Sequence, residues 1–292
     1  MIRLSQFLVV LALTLLFVGR ASADGVVVNT GNPDGLMATA SRPSSAGKVE
    51  IETADDFVLT QDTKITGGTF IGLLVGASNI QNVTIEFYHV FPADSSNPPD
   101  NRVPKRQNSP SDVEFDSRSE SSGNLSVAGT PLNPTFTAAN SVLNGIHPIP
   151  NFFTGGEGSV TGQEVQFSFS IDPETLPAGQ YFFVPQVQLQ TGDFYWLSAP
   201  NPIVPPGTPF SPDLQTWIRN SDLNPDWLRV GTDITRQGPF NAAFSLSGET
   251  TSSTVPEPPT LLLLGAGLLG LAGRWEHWKR ARGPGLVRNL LT

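Results

Sequence analysis

Residues 164–171 read Glu-Val-Gln-Phe-Ser-Phe-Ser-Ile, and that stretch decides the fold class. Val165, Phe167, Phe169 and Ile171 fall on one side of an extended chain, with Gln166, Ser168 and Ser170 on the other. This is the period-two pattern of a half-buried strand. Residues 83–91 repeat it: Val83, Ile85, Phe87 and Phe91 alternate with Thr84, Glu86 and Tyr88. In residues 181–190 Val187 and Leu189 point inward, and Gln186, Gln188 and Gln190 outward; Pro185 predicts an edge position or a bulge. Shorter strands are expected at residues 26–28, 49–53, 65–74, 194–197 and 240–246. Between them Asn32-Pro33-Asp34-Gly35, Pro177-Ala178-Gly179 and Thr191-Gly192-Asp193 are tight-turn sequences.

Strands without helical crossovers predict an all-β fold, an antiparallel two-layer sandwich of jelly-roll or immunoglobulin-like type. About eight to ten strands would fill it, joined by long loops. Residues 92–123, dense in Ser, Asp, Asn and Pro, read as an elaborated loop. Ser211-Pro212-Asp213 is a helix-opening sequence, since Ser caps and Pro suits the first turn. Leu214, Trp217 and Ile218 would then share the buried face of a short helix.

Composition narrows the function classes. Charged residues make up 15% of the chain, and 28 Gly and 26 Pro favour strands and turns over helices. Of 26 acidic residues all but two lie within residues 24–249, while seven of the 17 basic ones lie in the terminal segments. The middle of the chain is therefore more acidic than the overall net charge of −9, which argues against a nucleic-acid partner. The absence of cysteine excludes disulfides, thiolate metal sites and cysteine nucleophiles. No cofactor-binding motif is present: there is no nucleophile elbow, His-Glu-x-x-His helix or phosphate loop.

Three histidines exist; His277 belongs to the C-terminal tail, His147 reads as a loop residue and His89 as a core or strand-end residue. Asp55 and Asp56 are candidate oxygen ligands for a hard cation, but on a strand they face opposite ways and do not form an acid–base pair by themselves. Tyr195, Trp196, Trp217 and Trp227 are candidates for a sugar-stacking platform, although strand alternation sends at least half of such residues into the core.

The two ends carry addresses. Arg3 precedes an apolar stretch over residues 7–18, and Ala21-Ser22-Ala23 offers a small-residue cleavage site before Asp24, the three-part pattern read by signal peptidase. At roughly 12 residues the stretch is shorter than the about 20 needed to span a bilayer. At the other end Val255-Pro256-Glu257-Pro258 is followed by residues 261–273, drawn only from Leu, Gly and Ala, and then by Arg274, Lys279, Arg280 and Arg282. Such a run offers no side-chain polar group to lipid, and Trp275 and Trp278 would extend it to an interfacial belt. The expected organisation is a signal peptide (1–23), an exported sandwich (24–246), a polar linker (247–254) and a tail (255–292) with a transmembrane helix over about 259–278.

Pro256, Glu257 and Pro258, the Leu/Gly/Ala run and the Arg-rich end together resemble the PEP-CTERM sorting signal of bacterial envelope proteins. The resemblance covers about the last tenth of the chain. It implies an exosortase-type transpeptidase as partner, with recognition around those three residues and removal of the helix, and a host that makes exopolysaccharide. Ala54-Asp55-Asp56-Phe57, preceded by the turn at Asn32, also resembles the opening of uncharacterised bacterial β-sandwich domains bearing this tail. The expected function is a non-catalytic envelope or matrix protein, anchored through its C-terminal helix, released to the surface on processing, and associated with exopolysaccharide. A carbohydrate-binding module and a two-carboxylate glycan hydrolase remain alternative readings.

Overall fold

The computed structural model describes residues 25–45, 47–76, 79–94, 110–146, 153–200, 214–223 and 226–251. The first strands are β1 (Gly25–Asn29), β2 (Met37–Ala40), β3 (Ile51–Leu59), β4 (Thr63–Val75), β5 (Ile80–Asp94), β6 (Pro110–Ser119), β7 (Leu125–Ala138) and β8 (Asn140–Val142). They are followed by β9 (Val160–Leu176), β10 (Gly179–Leu189), β11 (Asp193–Ala199), β12 (Thr216–Asn220), β13 (Leu228–Arg229), β14 (Asn241–Ala242) and β15 (Phe244–Thr250).

These strands form two sheets. One runs β1-β15-β4-β11-β2-β8, with β9 also paired to β4, β7 paired to β9, and β14 paired to β11. The other runs β13-β12-β3-β10-β5-β6. Pairing is antiparallel throughout except between β2 and β8, which is parallel. The chain is thus mainly β, and the two sheets form a sandwich around shared aromatic side chains. Phe57, Phe87, Tyr181 and Phe183 enter this core from the six-stranded sheet, and Phe70, Phe167, Phe169, Phe194, Trp196 and Phe244 from the nine-stranded one.

Phe183 is the hub of that core. Its ring centroid lies 5.2 Å from Phe244, 5.5 Å from Phe87, 5.7 Å from Phe169 and Trp196, and 6.4 Å from Phe70. Those separations are within the range of favourable edge and offset ring contacts. β4 is hemmed in by β9 along one edge and by β15 and then β11 along the other. At Gly72 a Cβ would collide with the Phe194 ring and the Tyr195 carbonyl oxygen, so the close strand approach requires glycine there.

Several expectations need correction. Residues 92–123 are not all loop: β6 pairs with β5 as an edge strand, and its Val113, Glu114, Phe115, Asp116 order is itself an alternating pattern. β7 was not foreseen because Gly129, Pro131 and Pro134 read as turn formers; as an edge strand bonded only to β9 it tolerates them. No helix follows residue 213, because Trp217 and Ile218 lie in β12 and enter different apolar clusters. Its opening residues 211–213 lie outside the described residues, as does His147. Phe91 is 38% exposed, lying beyond the last β5–β10 pair at Val90, and Gln186 is buried, donating to the Arg42 carbonyl and to Glu50 Oε1 at 3.3 Å. β15 continues to Thr250, four residues into the expected linker.

Pro185 sits at neither an edge strand nor a bulge: β10 lies between β3 and β5. Its β3 ladder, however, ends at Phe183, and beyond it Ser41 takes over, with Ser41 Oγ donating to the Pro185 carbonyl at 2.6 Å and Val187 N–H to the Ser41 carbonyl at 3.2 Å. Amides two residues apart point the same way along a strand, so the amide hydrogen Pro185 lacks would face the side where the ladder has already stopped. Among the described residues no helix is long and apolar enough to cross a membrane, and the expected helix over 259–278 lies outside them.

Replacing Phe183 with Ala should cost about 3–5 kcal/mol by opening a cavity among five rings, and Gly72→Ala about 1–3 kcal/mol by overpacking. Urea titration of each variant measures both; an unshifted midpoint for Gly72→Ala would show that β4 can move away from β11.

Candidate functional site

Asp55 and Asp56 lie in the middle of β3 with no exposed surface. Asp55 Oδ2 accepts the Thr216 hydroxyl at 2.7 Å and the Ala242 N–H at 2.5 Å. Asp56 Oδ1 accepts the Gln215 N–H at 2.5 Å, and its Oδ2 accepts the Gln180 side-chain amide at 2.8 Å. Burial drives both carboxyls well above the usual range, with the Asp55 charge adding to the effect on Asp56. Donors engage three of the four oxygens and fasten distant chain segments to β3, while Asp55 Oδ1 is buried without a hydrogen-bond partner. Among the described residues no group of three or more His, Cys, Asp or Glu side chains could hold a metal ion.

The four aromatic candidates are all covered: Tyr195 is 6% exposed, Trp196 1%, Trp217 5% and Trp227 0%. Tyr195 and Trp196 are neighbours on β11 and alternate into different clusters, Trp196 joining the central aromatic core and Tyr195 packing with Leu73 and Leu197. Trp196 Nε1 donates to the Ala243 carbonyl at 2.9 Å, which satisfies its polar end within the core. Trp217 and Trp227 gather with Ala54, Tyr88, Val90, Phe182 and Val184. These four residues form no exposed platform, because β11 is covered on both faces and Trp217 and Trp227 are buried in a separate cluster.

The third cluster carries a charged network that sequence reading missed. Arg219 on β12 grips Glu52 on β3 through Nε to Oε2 and Nη2 to Oε1, the latter at 2.9 Å. Its guanidinium lies 4.1 Å from the Trp227 ring centroid and 5.0 Å from that of Tyr88. The Tyr88 hydroxyl is 3.0 Å from Glu52 Oε1 and 3.2 Å from Glu86 Oε2. Trp227 Nε1 donates to Asp112 Oδ2 at 2.9 Å, and that oxygen is 3.8 Å from Arg219 Nη1. One guanidinium therefore serves Glu52 and Asp112 directly and Glu86 through a phenol. Burial first, then the charges of Glu52 and Glu114, raise Glu86 to about 8. Burial, then Glu52 and Glu86, hold the Tyr88 phenol up, so it remains a hydroxyl.

Two carboxylates bridged by one hydroxyl are the raw parts of a glycosidic acid–base pair. Here both oxygens of Glu52 are engaged, its exposure is 6%, and Trp227 lies over the guanidinium. The network is thus built to lock β3, β5, β6 and β12 to the segment carrying Trp227, with its charges paired in a dry setting. Glu86 and Tyr88 were legible together on the polar side of the expected strand over 83–91, and Glu52 on another expected strand, whereas Arg219 was hidden by the helix reading of its segment.

Residues 254–279 match the family model for the PEP-CTERM protein-sorting motif, and the match includes Pro256, Glu257 and Pro258. Those residues lie outside the described ones, as do Ala21, Ala23 and Asp24 of the expected signal cleavage site. No curated protein and no solved structure matches the chain.

Arg219→Met leaves Glu52 buried beside other carboxylates and should cost about 3–5 kcal/mol, the range for breaking a buried ion pair from one side. Adding Glu52→Gln should restore part of that loss in urea titrations. A pH dependence follows as well. Glu86 holds its proton more tightly in the fold than in the unfolded chain, so its stabilising contribution is full below about 4.5 and lost as pH rises through about 8. Tm should therefore fall between pH 5 and 9, and Glu86→Gln should flatten the fall; an equally steep profile in the variant would acquit Glu86.

Proposed function

We propose that this chain is an exosortase substrate, a non-catalytic component of the bacterial envelope or extracellular matrix. The observation that carries the reading is the PEP-CTERM match at residues 254–279, directly after a folded sandwich whose last described residue is Thr251. Export begins at the N-terminal signal, with cleavage by signal peptidase before Asp24. The apolar run then holds the protein in the membrane until the transpeptidase acts, after which the domain is displayed at the surface or released. Exopolysaccharide is its environment and its partner by association. Support for a non-catalytic role comes from the engaged state of Glu52 and from the burial of Tyr195, Trp196, Trp217 and Trp227.

The sorting motif has a physical rationale. Pro256 and Pro258 lack amide hydrogens and fix φ, and the residues before them are pushed towards extended conformations. Glu257 is costly to bury in lipid, so the motif belongs at the water boundary, where an extended peptide is accessible to an enzyme.

Replacing Pro256, Glu257 and Pro258 together with Ala leaves the apolar run untouched. The variant should insert normally in an exosortase-bearing host, yet accumulate as full-length protein in the membrane fraction. Normal maturation on immunoblots would break the sorting reading.

A further inference from the structure

Both termini of the described sandwich leave from the same end. Gly25 pairs with Gly248, and the Thr251 N–H donates to the Asp62 carbonyl at 2.9 Å. Asp62 Oδ1 in turn accepts the Ala178 N–H at 3.0 Å, tying the β9–β10 turn to the β3–β4 turn. From Thr251 only seven residues precede Pro259, at most about 25 Å of fully extended chain.

That end also carries the exposed aromatic side chains. Among the described residues Phe91 and Phe115, 38% and 39% exposed, are the only exposed aromatic ones, and Val113 beside them is 58% exposed. His89 pairs with Tyr181 on one side and Val113 on the other, so the three share a face of the sheet. The rings form a chain: Phe91 to His89 at 4.7 Å, His89 to Tyr181 at 5.0 Å, and Tyr181 to Phe115 at 6.0 Å. Phe115 is the extra residue where the β5–β6 register shifts, a bulge that re-aims its side chain. The Tyr181 hydroxyl donates to the Pro177 carbonyl at 2.9 Å, in the turn that Asp62 holds. Patch and chain exit are therefore one end of the molecule.

We propose that Phe91, Val113 and Phe115 form a membrane-contacting patch that seats this end of the sandwich on the zwitterionic lipid surface to which the tail anchors the chain. The inference rests on the anchoring role of the C-terminal segment. A tether this short keeps the patch within reach of headgroups at high effective concentration, so three side chains suffice where an untethered protein would need a larger apolar surface. Aromatic rings backed by a polar ring such as His89 suit the boundary between headgroups and acyl chains. The acidic character of the domain disfavours an anionic surface and selects a zwitterionic one.

The absence of native cysteine allows a clean test with the full chain in phosphatidylcholine–phosphatidylethanolamine vesicles containing doxyl-labelled lipid. A fluorophore at Val113→Cys should be quenched at least threefold more than one at Val49→Cys. Val49 is 56% exposed at the opposite end, next to Lys48, which bonds Gly192 and Asp193. Adding Phe91→Ser and Phe115→Ser should bring quenching at position 113 down to the Val49 level while the protein still floats with the vesicles. Equal quenching at the two positions in floating protein would overturn the patch alone. A label at 113 shielded from both water and lipid would mark a protein interface instead and also overturn it. Failure to float would remove the anchor, and the patch with it.

Discussion

Two carboxylates with no water to face set the geometry of one side of this sandwich. Asp55 and Asp56 sit in a strand buried along nearly its whole length, between β10 and β12. Desolvating them is expensive unless their oxygens find donors, and these include two backbone amides of distant segments, Gln215 and Ala242, beside the Thr216 and Gln180 side chains. Each bond fixes where a later stretch of chain must pass. The start of β12 and the short β14 are thereby held to β3, and Thr216 adds a second tie through its own amide to the Phe240 carbonyl at 2.8 Å. Two adjacent acidic side chains thus act on opposite faces of one strand without acting on each other's ligands.

Legibility of the fold followed burial. β9 and β10 were readable because their inward residues are large and aromatic or branched, and one side of β9 meets water. Strands whose two faces are both covered, such as β3 and β11, lose the alternation that reveals them and read only as short apolar or mixed stretches. β12 failed for a different reason: a capping-like Ser-Pro-Asp just ahead of it outweighed the β-branched and aromatic Thr216, Trp217 and Ile218. The edge strands β6 and β7 were hardest, because the polar and proline-containing sequences that keep an edge soluble are also the sequences of loops.

The functional residues divide in the same way. The sorting motif is a linear address, so its order along the chain carries its meaning, and it was readable without any fold. The Glu52–Arg219 network depends on β3 and β12 lying side by side, a fact of topology with no linear signature. Aromatic composition misled for a related reason: Trp and Tyr serve cores and sugar surfaces equally well, and only burial tells them apart. An exported domain without disulfides must draw its stability from packing and buried polar networks, which is where its aromatic side chains went.

β7 has a consequence for life at high density. Its sequence from Leu125 to Ala138 contains no charged residue, and among the described residues it pairs with β9 on one side and with no strand on the other. Fourteen uncharged edge residues would ordinarily invite a neighbouring molecule to add a strand. Pro131 and Pro134 interrupt the row of amide hydrogens, and the register with β9 breaks between Pro131 and Asn133 and again before Phe136. A neighbouring molecule that met this edge would therefore find it poorly suited to templating an added strand.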